Sequence, residues 1–168
     1  MSHADFLSSI ASPDLKNVAM HWNDARGERR MPGWQDIKPS RIAAQLPMIW
    51  VYRHDGASDT FTGRLAGDMI EQVFGKSFRG APMRDLYPSG DYQRLFDRAK
   101  RVISEPAFYR GEGVVFIHVD RYGPGERIML PLADGGGAAD GILGATVYRT
   151  LTGVVPLPEP EKENWFAL

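Results

Sequence analysis

The chain has 168 residues, of which 43% are hydrophobic and 24% charged, and its formal net charge is −1. This is the balance of one globular domain with enough chain to bury a core, and it excludes a global attraction to nucleic acid or anionic lipid. The absence of cysteine excludes disulfides, thiolate zinc sites and cysteine nucleophiles.

Residues 1–15 hold no apolar run, so a secretory leader is not expected. No stretch reaches the roughly 20 apolar residues of a bilayer span. Ser12 caps a first helix, Pro13 fits its first position, and Asp14 favours the positive helix end. Leu15, Val18, Ala19 and Trp22 recur at helical spacing and Gly27 stops the helix. The helix is expected outside the core, its stripe buried against the domain or a second subunit. After the break at residues 31–33, Asp36 caps a short helix through Ala44, ended by Pro47.

Residues 48–53 and Thr60–Ala66 are rich in β-formers and read as a hairpin around Asp55, Gly56 and Ser58. Asp68 caps a short helix ended at Gly75, and residues 83–87 allow one more turn. Ser89 opens the clearest helix, with Tyr92, Leu95, Phe96, Ala99, Val102 and Ile103 on its apolar side. Arg94, Arg98, Lys100 and Arg101 are expected on a solvated face.

Three β-rich runs come next, at residues 113–121, 126–133 and 142–150. Turns at 123–125 and 134–137 make them an antiparallel meander. Gly111 and Gly113 also read as turn residues, because neither they nor Gly135 to Gly137 lead from a strand into a helix N-terminus as a phosphate loop must. Residues 154–163 are rich in proline and acid and read as a loose tail. Its end, Trp165-Phe166-Ala167-Leu168, docks on a partner, folds back, or stays disordered; all three remain open.

The fold class is therefore α+β: a five-stranded antiparallel sheet with helices on one face and an N-terminal helix outside the core. Three regions result: an N-terminal helical extension over residues 1–45, the main domain over 46–150, and a tail over 151–168.

Several segments carry a family resemblance. They are FTGRLAGDMI at 61–70, FGKSFRG at 74–80 and Asp85-Leu86-Tyr87 before the long helix. Arg26-Gly27, Met31-Pro32, residues 36–39 and Leu46-Pro47 lie upstream, and LPLAD at 130–134 and DGILG at 140–144 downstream. Together they resemble the PAS fold, and within it a short, stand-alone bacterial PAS-like family, over roughly residues 15–150.

The resemblance implies a bacterial cytoplasmic module that senses a ligand and pairs with partners, the ligand lying between sheet and short helices. Candidate lining residues are Trp50, Phe61, Leu65, Phe74, Leu86, Tyr87, Phe96, His118, Met129 and Tyr148. Strand alternation sends only half of each strand inward, and one sequence does not say which half.

No cofactor is named. Without cysteine, flavin photochemistry through a cysteine adduct is excluded, and the long helix offers no histidine to haem. His118 alternates with Val114 and Phe116 and could touch a ligand, while His3, His21 and His54 are too scattered for a metal site. The expected function is a non-catalytic sensor binding a small apolar ligand, a protein partner, or both, with possible homodimerisation through the first helix and no contact with nucleic acid or membrane. The alternatives are a ligand-free interaction adaptor and a small isomerase- or hydratase-like enzyme, which would need a pocket carboxylate of raised pKa.

Overall fold

The computed structural model describes residues 3–87, 89–118, 121–135, 137–149 and 160–168; the side chains of 89, 116–118, 121 and 122 lie outside that description. Helices α1 (His3–Ser9) and α2 (Pro13–Arg26) come first. Strands β1 (Ile49–Asp55) and β2 (Thr60–Ala66) form a hairpin. Helices α3 (Asp68–Phe74), α4 (Met83–Leu86) and α5 (Ser89–Ser104) come after it. Strands β3 (Ala107–His118), β4 (Arg121–Leu132), β5 (Gly141–Tyr148) and β6 (Lys162–Ala167) complete the chain.

The strands make one antiparallel sheet in the order β2-β1-β5-β4-β3-β6. Among the described residues it has six strands rather than the expected five. The added strand, β6, lies where the sequence reads as a loose tail, and it pairs with the outer edge of β3 from Ala107↔Ala167 to Glu112↔Lys162. Pairing satisfies backbone groups that an open edge would leave to water.

Both faces of the sheet are covered, not one. Alternation sends Ile49, Val51, Phe108, Ile128, Leu130 and Leu143 to one face and Trp50, Tyr52, Tyr109, Met129 and Ile142 to the other. The first face is covered by the N-terminal segment. Leu15, Val18, Ala19 and Trp22 of α2 are fully buried there, and the Trp22 indole N–H donates to the Pro131 carbonyl at 2.9 Å. The stripe of α2 is thus covered by the domain itself, and the helix belongs to the core. Phe6 of α1, a helix the sequence does not announce, stacks on Phe108 at 4.7 Å between ring centroids.

A buried carboxylate ties this layer down. Glu126 of β4 accepts from the backbone N–H groups of Ala11 and Ser12 at 2.9 and 2.8 Å, and from Arg110 Nε at 2.6 Å. Ser12 caps α2 as expected, its hydroxyl accepting from Leu15 N, and Gly27 at φ 57° ends the helix. Arg29 donates to the Arg26 and Ala25 carbonyls, satisfying the last turn.

Two local expectations change. Residues 36–44 do not form one helix; the segment makes 3-10 turns at Trp34–Asp36, Pro39–Arg41 and Ala43–Met48, as its prolines dictate. Residues 123–125 are not a turn but part of β4, and Gly111 and Gly113 lie inside β3. The register shifts between Val114 and Phe116, opposite Pro124, with Gly113 at φ 125°. A bulge admits proline into a strand, and the positive φ suits glycine alone.

Trp22→Ala is expected to destabilise the protein by about 3–5 kcal/mol, since it empties a fully buried site and orphans a carbonyl. Phe96→Ala should cost less, because the Phe96 ring is only partly buried. Urea unfolding midpoints compare the two.

Candidate functional site

The half of the core under α3, α4 and α5 gathers most of the expected lining residues. Trp50, Phe61, Phe74, Leu86 and Met129 are buried there, and Tyr87, Phe96 and Tyr148 pack against them. Leu65 does not join them; it is 38% exposed. Between β1 and β2 the register slips, Tyr52 opposing Gly63 but Val51 opposing Leu65. The extra residue, Arg64, reverses the side-chain parity of the strand beyond it and turns Leu65 to the opposite face. His118 ends β3, and its side chain lies outside the described residues.

Aromatic rings fill this half. Tyr52 packs on Phe78 at 4.8 Å, Phe61 on Phe96 at 5.6 Å and Phe74 on Tyr87 at 5.2 Å between centroids. Gly144 makes the room for Trp50, since a Cβ there would overlap the indole, and Trp50 Nε1 donates to Thr146 Oγ1 at 2.9 Å. The cavity beside Tyr87, Leu95, Val115 and Arg127 measures about 20 Å³, room for one water.

Buried charge is what sequence reasoning missed. Arg98 of α5 and Arg127 of β4 are 4% and 5% exposed. Arg127 Nε and Nη2 grip both oxygens of Glu161, at 2.6 and 2.5 Å. Arg98 Nη1 donates to Glu161 Oε2 at 2.6 Å, and the Tyr109 hydroxyl donates to Oε1 at 2.8 Å. Arg98 also donates to Glu163, from Nε at 2.8 Å. Gly111 of β3 leaves the seat for this carboxylate, because a Cβ there would overlap Glu161 Oε1. Trp165 of β6 closes the outside, edge-on to Tyr109 at 4.9 Å between centroids and under the Arg101 guanidinium at 4.2 Å.

Burial pushes the Glu161 carboxyl up, but Arg127 and then Arg98 outweigh that and pull it down to about 2. Burial pushes the Tyr52, Tyr87, Tyr109 and Tyr148 hydroxyls upward. The buried Tyr52 and Tyr87 hydroxyls lie beside each other and near Arg127.

Two of these residues were within reach of pattern reading. Arg98 lies three residues after Leu95 and four before Val102, which puts it on the edge of the apolar stripe. Arg127 shares strand parity with Met129. Neither pattern announces that Glu161, from the acidic tail, would reach them. The basic face of α5 is therefore not wholly solvated: Arg98 is buried, Arg94 pairs with Asp91, and Lys100 pairs with Asp59.

Comparison with known proteins gives one family. Residues 10–147 match the family model described as the PAS domain. A solved structure, the PAS domain from Bordetella pertussis BvgS, is 18% identical with a TM-score of 0.47, covering 64% of this chain and 80% of that one. No curated protein matches the chain.

Glu161→Gln should destabilise the fold by about 3–5 kcal/mol near neutral pH, because it leaves two buried guanidiniums without their shared anion. A carboxylate whose pKa is lowered on folding stabilises above its unfolded value, here 4.5, and loses that contribution as pH falls towards 2. The gap between wild type and variant should therefore be full above about pH 4.5 and close as pH falls towards about 2. Chemical denaturation across that range measures it.

Proposed function

The chain belongs to the PAS domain family, and on that premise we propose that it is a non-catalytic sensor whose helical half binds a small ligand and passes the change to a protein partner in bacterial signalling. PAS domains serve in general as sensory and signalling modules. The observation that supports ligand sensing here is the buried pair Arg98 and Arg127, which meets its counter-charge in the Glu161 carboxylate. Packing alone gains little from such a pair, since apolar residues of similar volume stabilise a core as well or better. Trp50, Phe61, Phe74, Leu86, Tyr87, Phe96, Met129 and Tyr148 form the apolar surround that a ligand would meet.

The adaptor reading has its own support. The helical half is filled by rings, and the cavity beside Arg127 is water-sized. A filled interior suits a module that presents a surface to a partner.

The enzyme reading draws on a buried carboxylate bonded to a tyrosine, Glu161 with Tyr109. General-base chemistry near neutral pH wants a carboxylate pKa raised towards 7. Glu161 is pulled the other way, and both of its oxygens are held by arginine.

Native mass spectrometry of the full chain, compared with its denatured mass, tests the sensor reading. Extra mass released on denaturation is the expected outcome. A bare chain that also shows no thermal shift across a metabolite panel would favour the adaptor.

A further inference from the structure

The seat of Glu161 has the form of a binding site filled from within. Two arginines from different elements converge on one carboxylate, one of them through the side-on fork that matches both carboxylate oxygens. A tyrosine hydroxyl completes the set, and Gly111 clears the space. Arg98, Arg127, Tyr109 and Gly111 all stand on the long helix or on central strands of the fold. The carboxylate comes from residue 161, beyond the family match at residues 10–147, at the start of an edge strand.

Two hydroxyls lie close by. Those of Tyr52 and Tyr87 are buried beside each other and near Arg127. On the outer side, Arg98 lines a groove between α5 and β6 with Gln93, Arg101, Glu163 and Trp165. Arg127 lines the water-sized cavity with Tyr87, and Arg94 borders both cavity and groove. Glu161 bonds one arginine of each.

We infer that Arg98, Arg127 and Tyr109 form a recognition site for a small organic carboxylate, which the chain occupies with its own Glu161. An incoming carboxylate enters along the α5–β6 groove, takes the arginine fork, and sets its body in the space that the Glu161 side chain and β6 give up. Glu161 leaves, β6 loses its anchor, and the edge of β3 opens for pairing with another chain. This rests on the sensor reading and names its ligand class and its moving part. The tethered Glu161 competes at high effective concentration, so an untethered carboxylate must bring apolar contacts as well as charge.

The probe is sodium benzoate, added to the full chain, with sodium phosphate and sodium chloride at matched ionic strength as comparison anions. Two signals are read: hydrogen exchange of the β6 amides and the melting temperature. In wild type, benzoate should speed β6 exchange at least about 10-fold, and chloride and phosphate should not. Glu161→Ala removes the internal competitor, so it should melt lower, recover with benzoate, and saturate at a concentration at least about 10-fold below that needed by wild type. The double variant Arg127→Met with Glu161→Ala removes one charge of each sign, which favours folding, and should lose the benzoate response.

Wild-type β6 amides that stay protected at benzoate concentrations about 100-fold above those saturating Glu161→Ala would overturn the proposal. So would an equal response to chloride or phosphate, or an undiminished response in the double variant. Should Glu161→Ala fail to fold, the wild-type exchange and the double variant decide the matter. A natural ligand without a carboxylate, released from the native protein, would overturn the proposal while leaving the sensor reading standing.

Discussion

Arg127 is a permanent positive charge in the middle of a sheet whose two faces are both buried, and the helical half of the molecule is arranged around its neutralisation. An isolated guanidinium in such a place would cost several kcal/mol. Burial pushes its pKa down, but the Glu161 carboxylate beside it outweighs that and raises it, so the guanidinium stays charged. The structure therefore brings an anion to it. Glu161 arrives at the head of β6, Arg98 joins from α5, and Tyr109 contributes a hydroxyl. The same contacts hold the last strand against the sheet and α5 against that strand.

The opposite face repeats the device with a different purpose. There Glu126 sits among apolar side chains, and its oxygens take the backbone N–H groups at the junction of α1 and α2 together with Arg110. That carboxylate positions backbone, and its partners are spent on the chain's own turn. Glu161 accepts instead from the side chains of Arg98, Arg127 and Tyr109. The contrast is between a carboxylate that fixes a backbone turn and one that joins side chains of a helix and two strands.

Signalling in such a module requires an element whose place depends on what fills the core. In the proposal above that element is β6. It is an edge strand with the sheet on one side only, and its inward anchors are Glu161, Glu163 and Trp165 at the arginine cluster and Phe166 on the far face. Central strands such as β5 are buried almost throughout.

Local chemistry determined a large share of this protein from the sequence alone. Ser12, Pro13 and Gly27 bound α2, Gly75 at φ 67° ends α3, and the apolar spacing of α5 marks its full length, because caps and helical periodicity act between near neighbours. The order of strands and helices, with its motifs, led to the PAS family. A signal for the second covered face was also present, since the end of β4, residues 128–132, and nearly all of β5 are apolar where a half-exposed strand would alternate. Only the tertiary structure decided the rest. The flip of Leu65 depends on a one-residue slip against β1, and the place of Pro124 depends on a bulge in β3. The pairing of Glu161 with Arg98 and Arg127 spans 63 and 34 residues of chain. No local propensity encodes these features, because each exists only when strands far apart in sequence lie side by side.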